Sequence, residues 1–164
     1  MREHFGQMAA YNAWANARLY AAVGELPNDR LMADLGAYFD SIFGTLTHIL
    51  IADRIWMHRL TGEGPMHADL RDRPFAGLAE LQAERCVMDQ RISEFVTSLA
   101  AADFPAVVNY HNMAGTSHSL PRQVILSHVV NHQTHHRGQA HHMLSVEGVD
   151  PPPLDLLYFM LPAA

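Results

Sequence analysis

Apolar residues recur along this chain at alternating intervals of three and four in four long segments. That spacing lines one face of an α-helix. The first segment carries Phe5, Met8, Asn12, Ala15, Leu19 and Ala22, and Gly24 and Pro27 end it. The second starts near Gly36 and carries Phe39, Ile42, Leu46, Ile49, Asp53, Trp56 and Leu60, stopping at Thr61-Gly62-Glu63-Gly64-Pro65. A loop rich in charge and proline runs to Pro74. The third segment carries Leu78, Leu81, Met88, Ile92, Phe95 and Leu99.

Residues 104–119 break the pattern. Val107-Val108-Asn109-Tyr110 is β-prone and Met113-Ala114-Gly115-Thr116 is turn-like, so a short hairpin is expected there. Pro121 suits the first turn of the fourth helix. That helix carries Ile125, Val129, His132, His136, Ala140 and Met143, with Gly148 as its stop. Pro151-Pro152-Pro153 forbids helix, and Leu154 to Leu161 can form a last short one. No repeat, low-complexity tract or linker interrupts residues 1–164, which read as one domain. Four amphipathic helices in one domain predict an all-α four-helix bundle with a short hairpin before the last long helix. The two long connections are sufficient for a crossover topology.

Composition narrows the function. The chain has 164 residues, 49% of them hydrophobic, enough for a core and against disorder. Its formal net charge is -6, and its 11 basic residues, all arginine, are scattered. A nucleic-acid partner would want a basic stripe, so none is expected. One cysteine, Cys86, excludes an internal disulfide framework or a Cys-based zinc site and lies off its helical stripe. The N-terminus does not resemble a signal peptide, and no apolar run is long enough for a membrane span. A cytoplasmic protein acting on a small molecule is the expectation.

Histidine changes the picture. The chain holds 12, six of them between His128 and His142. His132 and His136 are four apart, so a helix places both imidazoles on one face, one turn apart. They occupy the fourth segment's apolar stripe, where an unpartnered imidazole is costly. They are either core histidines hydrogen-bonded to neighbours or two ligands of one metal ion, and the paired spacing favours the ion. His48, beside Ile49 in the second segment, can complete a three-histidine site from a facing helix. Three protein ligands leave an open position, as catalytic metal centres do. His128, one turn earlier, is an alternative ligand, a supporting group or a core histidine. His135, His141 and His142 read as surface or interface residues. Asn12 and Asp53 interrupt apolar stripes. Either could orient a ligand imidazole, but a structural hydrogen bond or an ion pair, such as Asp53 with an arginine, is the simpler reading.

Several blocks resemble the DinB/YfiT-like family. These are Tyr11-Asn12-Ala13-Trp14-Ala15-Asn16-Ala17-Arg18-Leu19, then His48 with Ala52-Asp53-Arg54-Ile55-Trp56 and Arg59. They continue with Ser127-His128-Val129-Val130-Asn131-His132 through His136-Arg137-Gly138-Gln139, and end with Gly148, Pro151-Pro152 and Leu154-Asp155-Leu156. The resemblance covers nearly the whole chain, and its last-helix block is the most specific. It implies an up-down-down-up bundle, a homodimer and a divalent ion on His48, His132 and His136. That ion would be nickel or zinc, with iron or manganese as further options. Some relatives use a low-molecular-weight thiol such as bacillithiol, mycothiol or glutathione.

Three functions follow. A metal-dependent thiol S-transferase or thiol-dependent isomerase would activate the cofactor's thiol at the open position, with Arg54, Arg59 or Arg137 holding its carboxylates. A metal hydrolase would activate water and want a base, for which Asp53 is a candidate. The third is a non-catalytic metal- or ligand-binding stress protein whose ion is structural.

Overall fold

The computed structural model describes residues 1–161. Its helices are α1 (Arg2–Val23), α2 (Asn28–Leu31), α3 (Ile42–Thr61), α4 (Leu78–Ser98), α5 (Arg122–Val146) and α6 (Leu156–Met160). Two strands, β1 (Val107–His111) and β2 (Ser117–Pro121), pair antiparallel with Val107 opposite Pro121 and His111 opposite Ser117. The fold is therefore mostly helical and carries the hairpin and the last short helix that the sequence suggested, with α2 as an element it did not. Two short helices and a hairpin are added to the four long ones among the described residues. The longer of the two irregular connections carries the hairpin where the β-prone run and Gly115 (φ 80°) placed it.

Helix α1 packs along α4 and α5, and α3 packs along the same two. The two long helices that follow one another in the chain, α1 and α3, are thus diagonal rather than adjacent. Helix α3 is buried on nearly every face from Ile42 to Asp53, because it alternates between α4, α5 and the loops that cap it. No helix of the described residues is long and apolar enough to cross a membrane.

Helix α3 begins six residues later than its periodicity suggested. Ser41 is the N-cap, its hydroxyl accepting from the Gly44 amide at 3.0 Å. Residues 36–40 instead form a tight loop, with Asp40 at φ 68°, that folds Phe39 back over the start of the helix. A Cβ at Gly44 would lie 2.0 Å from the Phe39 carbonyl oxygen, so only glycine permits this close approach. At the other end Gly62 adopts φ 78° and caps the helix.

A polar network runs through the middle of the bundle. Arg85 on α4 donates to Asp53 on α3 at 2.5 Å and lies 2.9 Å from Asp89. Gln133 on α5 donates to Asp53 at 2.9 Å. Asn16 on α1 donates to Asp89, and its carbonyl receives Arg137 of α5 at 3.3 Å. Arg137 also donates to Asn12 at 2.8 Å and to Gln133 at 3.0 Å. Two guanidinium groups thus face two carboxylates, and every long helix contributes. Burial opposes the Arg85 charge, but Asp89 and Asp53 outweigh it and hold its pKa above the ordinary value. Burial pushes the Asp53 carboxyl up to about 6 against the pull of Arg85, which leaves the pair ionised at neutral pH.

Removing one member of a buried pair strands the other charge. Asp53→Ala is expected to destabilise the fold by about 3–5 kcal/mol, read as a lowered urea midpoint. A loss below about 1 kcal/mol would mean that Arg85 finds water or another partner and that the network does not hold the helices.

Candidate metal centre

The adjoining faces of α3 and α5 place the three predicted histidines together. One ring nitrogen from each of His48, His132 and His136 falls within a set whose members are all within 4.8 Å of one another. His48 Nε2 and His132 Nε2 are 3.2 Å apart. Nitrogens around a tetrahedral ion at about 2.0–2.1 Å lie about 3.3 Å from each other, so the His48–His132 spacing fits an ion.

Hydrogen bonds aim the rings. His48 Nδ1 donates to the Leu70 carbonyl at 3.3 Å, and His136 Nδ1 donates to Gln139 Oε1 at 2.7 Å. With the proton fixed on Nδ1, each Nε2 lone pair is left free, an arrangement typical of imidazole ligands. His132 Nδ1 is buried without a partner among the described residues. Phe39 stacks on His48 with ring centroids 3.7 Å apart and meets His136 edge-on at 5.7 Å. It closes one side of the cluster to water.

The rings are held neutral. Burial, reinforced by His136, lowers His48 to about 4. Burial, then His136 and His48, lowers His132 to about 3. Burial also lowers His136. Metal ligation needs the neutral imidazole, and this pocket supplies it across the physiological range.

The fully buried line on α5 is not the one the apolar stripe suggested. Val129, Gln133, Arg137, Ala140 and Leu144 face the core, while His132 and His136 are half-buried one position over. The histidines border a cleft instead of sitting in the bundle centre. His128 is exposed and packs edge-on against Trp56 with centroids 5.0 Å apart. It stands beside His132 but outside the cluster of three. His135 is exposed and accepts from Gln139 at 3.4 Å, and His141 bonds to the Pro152 carbonyl.

The other candidates resolve individually. Asp53 takes the ion-pair role and is sealed in the core, so it cannot serve as a base for water at the cluster. Asn12 is held by Arg137, which is itself buried in the network and unavailable to a ligand's carboxylate. Arg54 pairs with Glu84. Arg59 has no acidic partner among the described residues and lines the cleft. Cys86 is exposed and does not line it. Sequence reasoning missed Phe39, which it placed inside a helix, and Gln139, whose spacing of three from His136 was a readable signal. It also missed Gln133.

A helical protein with three converging imidazoles beside a cleft is the class defined by these features. The DinB family matches residues 1–163, and the chain belongs to that family. It is 26% identical over 151 residues to Protein DinB of Bacillus subtilis (strain 168), covering 88% of this chain and 87% of that one. Its fold also matches the crystal structure of a DinB-like protein from Bacillus cereus ATCC 10987, with a TM-score of 0.68 over 92% of this chain and 95% of that one. At 19% identity this likeness speaks to the fold alone.

Two outcomes are expected. In metal-free protein, imidazole NMR signals should show His48 and His132 protonating near pH 4 and 3, not near the ordinary value of about 6.5. The unfolded rings take up protons first, so the stability these two contribute is complete above about pH 6.5 and is lost as pH falls below it. A midpoint near 6.5 for either ring would show that it is solvated rather than buried. Gln139→Leu should weaken metal affinity by about 10–100-fold by releasing the His136 ring, measured by competition with a chromogenic chelator. Unchanged affinity would show that Gln139 does not orient the ligand.

Proposed function

We propose that this chain holds one divalent metal ion on His48, His132 and His136 and uses it to transfer or isomerise groups through a small thiol. The observation that carries the metal is the convergence of one ring nitrogen from each of the three histidines, with the Nδ1 hydrogens of His48 and His136 already given to acceptors. His132 supports it, with its Nε2 3.2 Å from that of His48. Three neutral nitrogens suit zinc or nickel, and iron or manganese less well.

A bound ion would act as a Lewis acid, lowering the pKa of a thiol or a water at its open position. The residues of the chain do the rest. The three imidazoles set the position, Phe39 excludes water from one side, and the cleft beyond His48 and His132 receives the organic part of the co-reactants. No carboxylate lines that cleft among the described residues. A thiol, with an ordinary pKa near 8.5, gives up its proton to a metal without help, whereas water profits from a base. This favours a thiol over a hydrolytic reaction, and the remoteness of Cys86 fits a thiol supplied from outside.

Elemental analysis of untagged protein should find one divalent ion per chain, lost in His136→Ala. No ion in either after reconstitution with zinc and nickel would return the three rings to the status of hydrogen-bonded histidines. Conjugation of 1-chloro-2,4-dinitrobenzene with a panel of thiols should then depend on the ion. Rates unchanged by chelation, with the fold intact, would sink the thiol reaction. Unfolding on chelation would favour a structural ion.

A further inference from the structure

The cleft beside the three histidines measures about 250 Å³, just below the range of about 300–1,000 Å³ usual for small-ligand sites. Trp56, Ile55 and Met113 give it apolar walls, and His48 and His132 form one end. Its single permanent charge is Arg59, in the last turn of α3. The Arg59 guanidinium carbon lies 4.5 Å from the Trp56 ring centroid and 5.0 Å from that of Tyr110 on β1. The head rests against both rings, which meet each other edge-on with centroids 5.2 Å apart, and these contacts hold it without neutralising it. Its Nε is buried and unpartnered among the described residues.

This contrasts with other arginines that meet acidic groups. Arg54 pairs with Glu84, Arg85 with Asp53 and Asp89, and Arg30 with Glu147. Burial lowers the Arg59 pKa and is the largest influence on it. An unpaired, partly desolvated guanidinium is costly unless an anion joins it. A cleft with neutral imidazoles and no carboxylate offers no such anion among the described residues. A planar guanidinium matches a carboxylate through two parallel hydrogen bonds. One cation balances a monoanionic carboxylate better than a dianionic phosphate.

We infer that the cleft binds a small organic carboxylate whose apolar body packs on Trp56 and whose carboxylate is anchored by Arg59, beside the histidine cluster. This deepens the proposed function, since it rests on the cleft being where the co-reactant meets the three imidazoles. It narrows that co-reactant to an acid with an apolar stem. Arg59 is a binding residue in this account and moves no proton.

The probe is 3-phenylpropionate, set against 3-phenylpropanamide and 2-phenylethylphosphonate. A Trp14→Phe background leaves Trp56 as the sole indole, and its fluorescence reports binding to the full-length protein as purified. The carboxylate should bind about tenfold or more tightly than the amide, and Arg59→Met should erase that preference while Arg59→Lys keeps part of it. Circular dichroism melts establish that both variants fold. Carboxylates also bind metal ions, so the titration is repeated on His136→Ala. A preference that needs Arg59 and survives His136→Ala supports the inference, whatever the fate of the metal. A preference that vanishes with His136→Ala belongs to an ion and overturns it. Equal binding of acid and amide, tighter binding of the phosphonate, no binding of any probe, or a preference retained by Arg59→Met would each overturn it as well.

Discussion

Four charges sealed in the middle of a helical bundle constrain everything around them. Arg85, Arg137, Asp53 and Asp89 are buried, and their formal charges cancel. Burying any one alone would cost several kcal/mol. The set is tolerable only when Asn12, Asn16 and Gln133 supply the remaining hydrogen bonds. Together the four charges and three amides sit on all four long helices. Sliding α5 by one turn would carry Gln133 away from Asp53 and Arg137 away from Asn12 at once. The apolar core tolerates small shifts because its contacts are non-directional, but this network does not. It therefore sets the register between α3 and α5, and that register is what aligns His48 with His132 and His136.

The histidine cluster is a second polar group on the same two helices, with the opposite character. The network sets each of its four charges against an opposite charge or an amide. The cluster leaves lone pairs facing one another, with two Nε2 atoms 3.2 Å apart and one buried Nδ1 unpartnered among the described residues. Protonation cannot relieve this, because burial holds His48 and His132 far below their usual pKa. A divalent cation would accept one lone pair from each ring, and it needs the rings neutral. On neighbouring positions of the same helices, the network matches opposite charges while the cluster gathers three neutral rings.

Much of this was legible in the chain, and the failures have definite causes. The four long helices and the hairpin followed from period and turn residues, because each amphipathic stripe is long and glycine or proline ends it. The histidine pair followed from a spacing of four. The start of α3 was misplaced because Phe39 falls in phase with Ile42 and Leu46 by coincidence. Its ring is buried through a loop and not a helix. The core line of α5 was shifted by one residue because Gln133 and Arg137 look like surface residues until Asp53 and Asn12 are placed opposite them. Arg85 and Asp89 were invisible for the same reason. A polar residue reads as buried only when its partner, distant in sequence, is known. The cleft could not be drawn at all, since its walls come from α3, α5, the loop at Leu70 and the hairpin.

The one-residue shift on α5 also explains why a site exists there. Successive residues on a helix point about 100° apart. Had His132 and His136 lain on the innermost line, a metal would be walled in by four helices and fully enclosed. Displaced by one position, they stand at the border between core and solvent, where α5 leaves the packing and the hairpin leaves a gap. Gln133 and Arg137 take the inner line and tie the helix down immediately beside them. The rigid side and the open side of the cluster are thus successive residues of one helix. A purely structural ion gains nothing from an open border. The reacting centre proposed above would need that border for a substrate to enter and a fixed wall for its ligands, and the sequence His132-Gln133 and His136-Arg137 supplies both.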